Sequence, residues 1–134
     1  MPPEPVRVSY ISLFTRDVAA LPDFYIAVFG LEEIAASRSD RYRELAVGDV
    51  RLGFPYIDAY ARIGLQDQAE PAGVRAMITF AAASPDAVAN LARRAQAAGA
   101  RLTAPPTATD FGQVIAVLLD PEGNAFRISG ALEG

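Results

Sequence analysis

The chain has 134 residues, of which 51% are hydrophobic, and its 12 basic and 16 acidic side chains give a net charge of −4. This length allows one domain with a substantial core but not two cores of ordinary size. The acidic balance and the absence of a Lys/Arg cluster argue against nucleic acid as a partner.

Several kinds of chemistry are excluded by composition. The chain has no cysteine and no histidine, which rules out disulfides, thiol nucleophiles and Ser–His dyads. Every basic residue is arginine, so a lysine Schiff base is also ruled out. Residues 1–5 lack the apolar run of a signal peptide, and no segment approaches the roughly 20 apolar residues of a membrane span. We therefore expect a cytoplasmic protein without membrane contact.

The first half of the chain predicts a strand, a helix and three more strands. Residues 6–15 are rich in β-branched and aromatic types. Four apolar residues then recur at helical spacing: Leu21, Phe24, Tyr25 and Val28. The helix is expected to begin at Pro22, after a looser lead-in, and to end at Gly30. Three strands follow, at about 31–38, 41–47 and 50–56. Gly48 and Asp49 occupy the turn of the last hairpin.

The second half repeats this pattern after a connector at 57–72. Residues 74–83 predict a strand, and Ser84-Pro85 predicts a capped helix start. The helical apolar stripe contains Val88, Leu91, Ala92 and Ala95. Gly99 ends this helix. Three more strands are expected near 101–104, 113–119 and 125–129.

The two halves predict tandem βαβββ modules in one α+β domain. Module one spans about 6–56 and module two about 73–130, within a single domain of residues 1–134. Matching landmarks keep similar offsets, since Tyr10 and Met77 are 67 residues apart. The alternative is an unrelated α+β domain in which the spacing is coincidental.

Three segments resemble the vicinal oxygen chelate superfamily, which includes glyoxalase I, extradiol dioxygenases and bleomycin-resistance proteins. They are residues 10–17, residues 24–31 with Phe24-Tyr25, and residues 119–128 with Asp120-Pro-Glu-Gly-Asn124. The resemblance implies an open, cup-like mixed β-sheet with helices outside, a binding site in the cup and a homodimer. It also implies four corners where enzymes of this group hold a divalent metal with His and Glu side chains.

In this chain the four corners carry unusual residues. Strand alternation places Tyr10, Leu52 or Gly53, Met77 and Arg127 there. Tyrosine and methionine are poor ligands for hard divalent ions or zinc, and an arginine cation would repel the ion. We therefore expect no metal and no other cofactor. Arg127 either pairs with a carboxylate, phosphate or enolate of a ligand, or serves structure by pairing with a neighbouring acid or covering apolar surface.

The predicted ligand site combines aromatic walls with few polar anchors. Its eight side chains are Tyr10, Phe14, Tyr42, Phe54, Tyr56, Met77, Phe111 and Arg127. Some of these aromatic residues could instead belong to the core or to a dimer contact. We identify no catalytic residue.

Three functions fit these observations. The leading one is a metal-free small-molecule binding protein that resembles the bleomycin-resistance branch and takes an aromatic or oxygenated ligand. The second is a metal-free lyase or isomerase in which Arg127 stabilises an enolate-like charge. The third is a structural or regulatory partner whose cup is filled by its own side chains. The acidic net charge favours a cationic ligand, whereas Arg127 favours an anionic group; net charge affects encounter rate and the local residue sets orientation.

Overall fold

A computed structural model describes residues 4–69 and 73–132 and confirms the predicted order of elements. The elements are β1 Tyr10–Ser12, α1 Ala20–Phe29, β2 Glu32–Glu33, β3 Tyr42–Val47, β4 Val50–Pro55, α2 Ala59–Arg62, β5 Ile78–Ala81, α3 Pro85–Ala97, β6 Arg101–Ala108, β7 Gln113–Leu119 and β8 Ala125–Ala131. Short 3-10 turns lie at Ala35–Ser37 and Gln66–Gln68. Residues 57–69 of the predicted connector thus contain α2 and one such turn, while residues 70–72 lie outside the described part.

Each module forms its own four-stranded mixed sheet. The strand orders are β1-β4-β3-β2 and β5-β8-β7-β6, which are the same arrangement used twice. In each sheet the first strand pairs in parallel with the last, and the remaining pairs are antiparallel. The α+β fold with two βαβββ modules is therefore confirmed.

Three predicted strands are shorter than expected. The run at 6–15 narrows to Tyr10–Ser12, the run at 31–38 to Glu32–Glu33 and the run at 74–83 to Ile78–Ala81. All three are edge strands with a neighbour on one side only, and pairing along each stops short of the ends of that neighbour. The fourth edge strand, β6, is longer than predicted and includes Pro105-Pro106, which an edge tolerates because proline cannot donate to a ladder.

The helix signals in the sequence are confirmed with one shift. α1 begins two residues before Pro22, because the Asp17 carboxylate accepts hydrogen bonds from the backbone N–H groups of Ala19 and Ala20 at 3.0 and 2.8 Å. α3 begins as predicted, with the Ser84 hydroxyl accepting from the Ala87 N–H at 3.1 Å. Within the described ranges no helix is long and apolar enough to cross a bilayer.

The apolar stripes of α1 and α3 contribute to a core that both modules share. The most deeply buried large side chains include Tyr25, Phe54, Phe126, Leu21, Leu45, Leu118 and Ile128. Rings from the two modules touch directly, since Phe29 stacks on Phe80 with 4.0 Å between centroids. Burying each such side chain contributes about 1.5–3 kcal/mol, so separating the modules would expose a large part of the core.

One buried polar contact joins the turn between β7 and β8 to the first module. The Tyr25 hydroxyl donates to Asp120 Oδ2 at 2.7 Å, and Asp120 also accepts from the backbone N–H groups of Glu122 and Asn124 at 2.9 and 3.0 Å. The Glu122 carboxylate accepts a hydrogen bond from the Thr15 hydroxyl. The Asp-Pro-Glu-Gly-Asn motif therefore fixes the second sheet against α1 and the end of β1.

We predict that Tyr25→Phe lowers the free energy of unfolding near neutral pH by about 1–3 kcal/mol, because buried Asp120 loses a donor. Burial, the nearby Asp120 charge and the hydrogen bond to Asp120 all raise the pKa of Tyr25. The neutral phenol therefore makes its full contribution to the free energy of unfolding below about pH 10, the pKa of unfolded tyrosine. That contribution is lost as pH rises further. Urea unfolding at neutral and alkaline pH measures both effects.

Tyr10→Phe is the matched control, since Tyr10 is 54% exposed. It should change the unfolding free energy by no more than about 0.5 kcal/mol. Equal losses in the two variants would contradict a special role for the Tyr25–Asp120 contact.

Candidate functional site

Each sheet has one face on the core and one face directed away from it, which we call the open face. In the first sheet, Leu45, Leu52 and Phe54 face the core with exposures of 0, 2 and 0%. Phe54 lies 5.7 Å from the Tyr25 ring, measured between centroids. The prediction that Phe54 binds ligand is therefore wrong, because the alternation that buries Leu52 also buries Phe54. The same alternation assigns the uncertain corner to Gly53.

Strand register defines the open face of the first sheet. Two rows of cross-strand neighbours cross it: Tyr10, Arg51 and Ala46, then Ser12, Gly53 and Glu44. Tyr10 is 54% exposed, whereas Glu44 is only 6% exposed. The face therefore places an accessible aromatic ring near an enclosed carboxylate.

Tyr42 and Glu44 form a hydrogen-bonded pair above Gly53. The Tyr42 hydroxyl donates to Glu44 Oε1 at 2.8 Å. A Cβ atom on Gly53 would lie 2.6 Å from the Tyr42 hydroxyl oxygen, so the missing side chain provides the room for that hydroxyl. Burial, followed by the hydrogen bond and charge of Glu44, raises the pKa of Tyr42. Tyr42 therefore stays a neutral hydrogen-bond donor around neutral pH.

On the second sheet, Arg127 lies on the open face. Its neighbours Phe126 and Ile128 are fully buried on the opposite face. The Arg127 Nε donates to the Thr79 hydroxyl at 2.6 Å, and these two residues are direct cross-strand partners. Among the described residues no carboxylate forms a salt bridge with Arg127. Thr79 thus orients the guanidinium without neutralising it.

A cavity of about 430 Å³ lies between β1 and the approach to β5, where the two modules meet. Its lining includes Ser12, Val74, Met77 and Asn124. Met77 is 41% exposed. The structure thus brings Met77 to a space beside β1.

The other three predicted residues lie elsewhere. Phe14 stacks on Tyr60 with 4.1 Å between centroids, and both line a smaller cavity of about 170 Å³ with Glu122. The Arg41 guanidinium lies over the Tyr56 ring, with 5.5 Å between the Arg41 Cζ atom and the ring centroid. Phe111 is 68% exposed in the turn between β6 and β7.

Sequence reasoning missed Glu44, because β3 carries charged residues at two adjacent positions. Arg43 points to the helix side, where it is 3% exposed and donates to Glu33 and Asp23, each at 2.8 Å, and to the Ala19 carbonyl at 2.9 Å. The hydrogen bond from Arg43 lowers the pKa of Glu33. Arg43 therefore has a structural role, and only Glu44 belongs to the open face. The available signal in the sequence was Gly53, which lies opposite Glu44. A glycine within a strand often marks a site where another group approaches the backbone closely.

Comparison with known proteins identifies the family. A family model described as the glyoxalase/bleomycin resistance protein/dioxygenase superfamily matches residues 7–128. The chain belongs to this superfamily. A search of the curated proteins finds no significant match.

Solved structures of the superfamily are similar over most of the chain. A glyoxalase/bleomycin resistance protein/dioxygenase family enzyme from Burkholderia phytofirmans PsJN is 40% identical, with a TM-score of 0.89 and coverage of 92% of this chain and 98% of that one. A superfamily protein from Nocardioides is 21% identical, with a TM-score of 0.80 and coverage of 99% and 88%. A lactoylglutathione lyase from Agrobacterium tumefaciens is 20% identical, with a TM-score of 0.71 and coverage of 95% of both chains. The last two likenesses concern the fold alone.

The residues predicted for the superfamily's metal corners do not fit a divalent ion. They are Tyr10, Gly53, Met77 and Arg127, which supply neither imidazole nor carboxylate. Within residues 4–69 and 73–132, no group of three or more His, Cys, Asp or Glu side chains is arranged to hold a metal. Glu44 is a single carboxylate and its Oε1 already accepts from Tyr42.

We predict that Glu44→Gln lowers the pKa of Tyr42 but leaves it above the ordinary tyrosine value. The variant removes the charge and replaces the carboxylate acceptor with a weaker amide oxygen, whereas burial, the largest cause of the shift, remains. Alkaline titration of the Tyr42 ring carbon by NMR, assigned with Tyr42→Phe, measures the change. Glu32→Gln, an exposed site on β2, is the control for loss of one negative charge. An unchanged Tyr42 pKa in Glu44→Gln would contradict the pairing.

Proposed function

We propose that this superfamily member is a small-molecule binding protein that works without a metal, as the bleomycin-resistance branch does. The ligand occupies the open faces of the two sheets, and Arg127 holds an anionic or oxygenated group. The observation that carries this proposal is the Arg127 guanidinium, which Thr79 orients on the open face and which no acid among the described residues neutralises. A planar guanidinium in this position can donate two parallel hydrogen bonds to a carboxylate, a phosphate or an enolate.

The rest of the ligand would be held mainly by apolar contact. Tyr10 and Met77 are 54 and 41% exposed although both are large and apolar in most of their surface. Exposed side chains of this kind support binding of a flat or hydrophobic ligand body.

The same exposure supports a homodimer in which a second copy covers part of this surface, and sedimentation velocity would test that assembly.

We predict that a thermal-shift screen of small aromatic carboxylates and phosphonates, with a chelator present, yields ligands that raise the melting temperature. Arg127→Gln should weaken these ligands about tenfold or more, because a charge-assisted hydrogen bond is lost. Arg127→Lys should give an affinity between those of the parent chain and Arg127→Gln, since lysine keeps the charge but lacks the planar pair of guanidinium donors. Isothermal titration calorimetry measures the affinities.

Arg93→Gln is the control, because Arg93 lies on the exposed surface of α3, where it donates a hydrogen bond to Asn90. It removes the same charge and should leave ligand affinity unchanged. Ligands whose affinity is the same in Arg127→Gln and the parent chain would contradict the proposal. Failure of every ligand to raise the melting temperature would favour the alternative of a structural or regulatory partner.

A second candidate function is a metal-free lyase or isomerase, and Glu44 is the observation that favours it. Its Oε1 accepts from Tyr42, whereas its Oε2 accepts no hydrogen bond from the described residues. An enclosed carboxylate with one free oxygen can act as a base, and a neutral tyrosine beside it can donate to an oxygenated substrate. Turnover of hydroxy-ketones that Glu44→Gln abolishes while binding persists would establish this function, and absence of turnover would exclude it for those substrates.

A further inference from the structure

A third cavity lies at the tip of the β3–β4 hairpin. It has a volume of about 410 Å³ and is lined by Arg7, Gly48, Asp49 and Arg51. Arg7 Nη1 donates to the Asp49 backbone carbonyl at 3.4 Å, and the Arg51 backbone N–H donates to the Ser9 carbonyl at 2.8 Å. The segment before β1 is thereby tied to the hairpin, and two arginines line one cavity.

The Arg51 side chain has a donor without an acceptor. Its Nη1 is screened from solvent and has no hydrogen-bond partner among the described residues. Buried donors of this kind are rare in folded proteins, because each forfeits its hydration without a replacement bond. Among the described residues neither Arg51 nor Arg7 forms a salt bridge, whereas Arg38, Arg41 and Arg43 do. The cavity is thus lined by two arginines that form no salt bridge within the described residues, and by one acid, Asp49.

The hairpin tip also has a fixed shape. Val47 and Val50 are paired, so Gly48 and Asp49 form a two-residue turn. Gly48 has a φ of 57°, a conformation that suits the first position of such a turn and that other residues rarely adopt. Asp49 places one negative side chain at the same cavity. That carboxylate opposes an anion and limits its affinity.

We propose that this cavity binds an oxyanion group, a phosphate or a carboxylate, between Arg7 and Arg51. The oxyanion supplies the acceptor that the Arg51 guanidinium lacks once a change of side-chain rotamer turns Nη1, which is buried in the unliganded chain, toward the cavity. Arginine forks match the geometry of both groups. Arg51 borders the open face beside Tyr10, whereas Arg127 lies on the other sheet, so which of the two arginines a ligand perturbs distinguishes binding here from binding at Arg127.

The test is titration with inorganic phosphate at low ionic strength, monitored by NMR of the arginine Nε–Hε signals and the Gly48 amide. This spectrum contains one signal for each of the 12 arginines. A second titration with acetate separates phosphate from carboxylate preference. Saturable shifts should appear for Arg7, Arg51 and Gly48 but not for Arg127. Arg51→Gln and Arg7→Gln should each weaken binding about tenfold.

Asp49→Asn gives the sharpest control, because it removes the one opposing charge at the cavity and should tighten phosphate binding. Asp40→Asn changes the net charge by the same amount at an exposed site elsewhere and should have little effect. Shifts that do not saturate, that persist in Arg51→Gln, or that respond equally to the two aspartate variants would overturn the proposal. Circular dichroism and unchanged amide spectra away from the hairpin confirm that each variant is folded.

Discussion

The arrangement of the two sheets depends on the contact between Tyr25 and Asp120. Tyr25 lies in the centre of the shared core, yet its hydroxyl reaches the turn that precedes β8. In the same turn, the Glu122 carboxylate accepts a hydrogen bond from the Thr15 hydroxyl. Because β8 carries Arg127 and the segment before Thr15 carries Tyr10, the same contact that joins the modules fixes the two halves of the proposed site. The motif that marks the superfamily is therefore structural in this chain, and it positions the ligand groups indirectly.

The open faces of the two sheets differ in charge. The first presents the Glu44 carboxylate and the neutral Tyr42 hydroxyl together with Arg51, whereas the second presents the Arg127 guanidinium. A ligand with a hydrogen-bond donor at one end and an oxyanion at the other would satisfy both. This arrangement places an acid, Glu44, and the basic anchor, Arg127, on different sheets. It also explains why Gly53 is suited to a corner where a larger residue would displace Tyr42.

Sequence reasoning succeeded where a signal was local. The apolar stripe containing Leu21 and Val28 and the cap at Ser84 depend only on neighbours along the chain, and both are found as predicted. The lengths of three edge strands were overestimated because the length of a strand depends on pairing with a neighbouring strand. The β-propensity of its own residues does not reveal that pairing. Phe54 was misplaced because aromatic character suits a pocket and a core equally well. Glu44 was missed because an adjacent charge, Arg43, has the opposite parity, and only the register with β4 separates them.

The central claim is that these open faces bind a ligand through side chains and have no place for a dication. The most direct measurement is the metal content of the purified protein after exposure to excess zinc, nickel and manganese and removal of unbound ions by desalting. Elemental mass spectrometry should find far less than one ion per chain for each metal. One ion per chain that resists desalting, together with broadening of the Tyr10 or Arg127 signals by manganese, would contradict the claim.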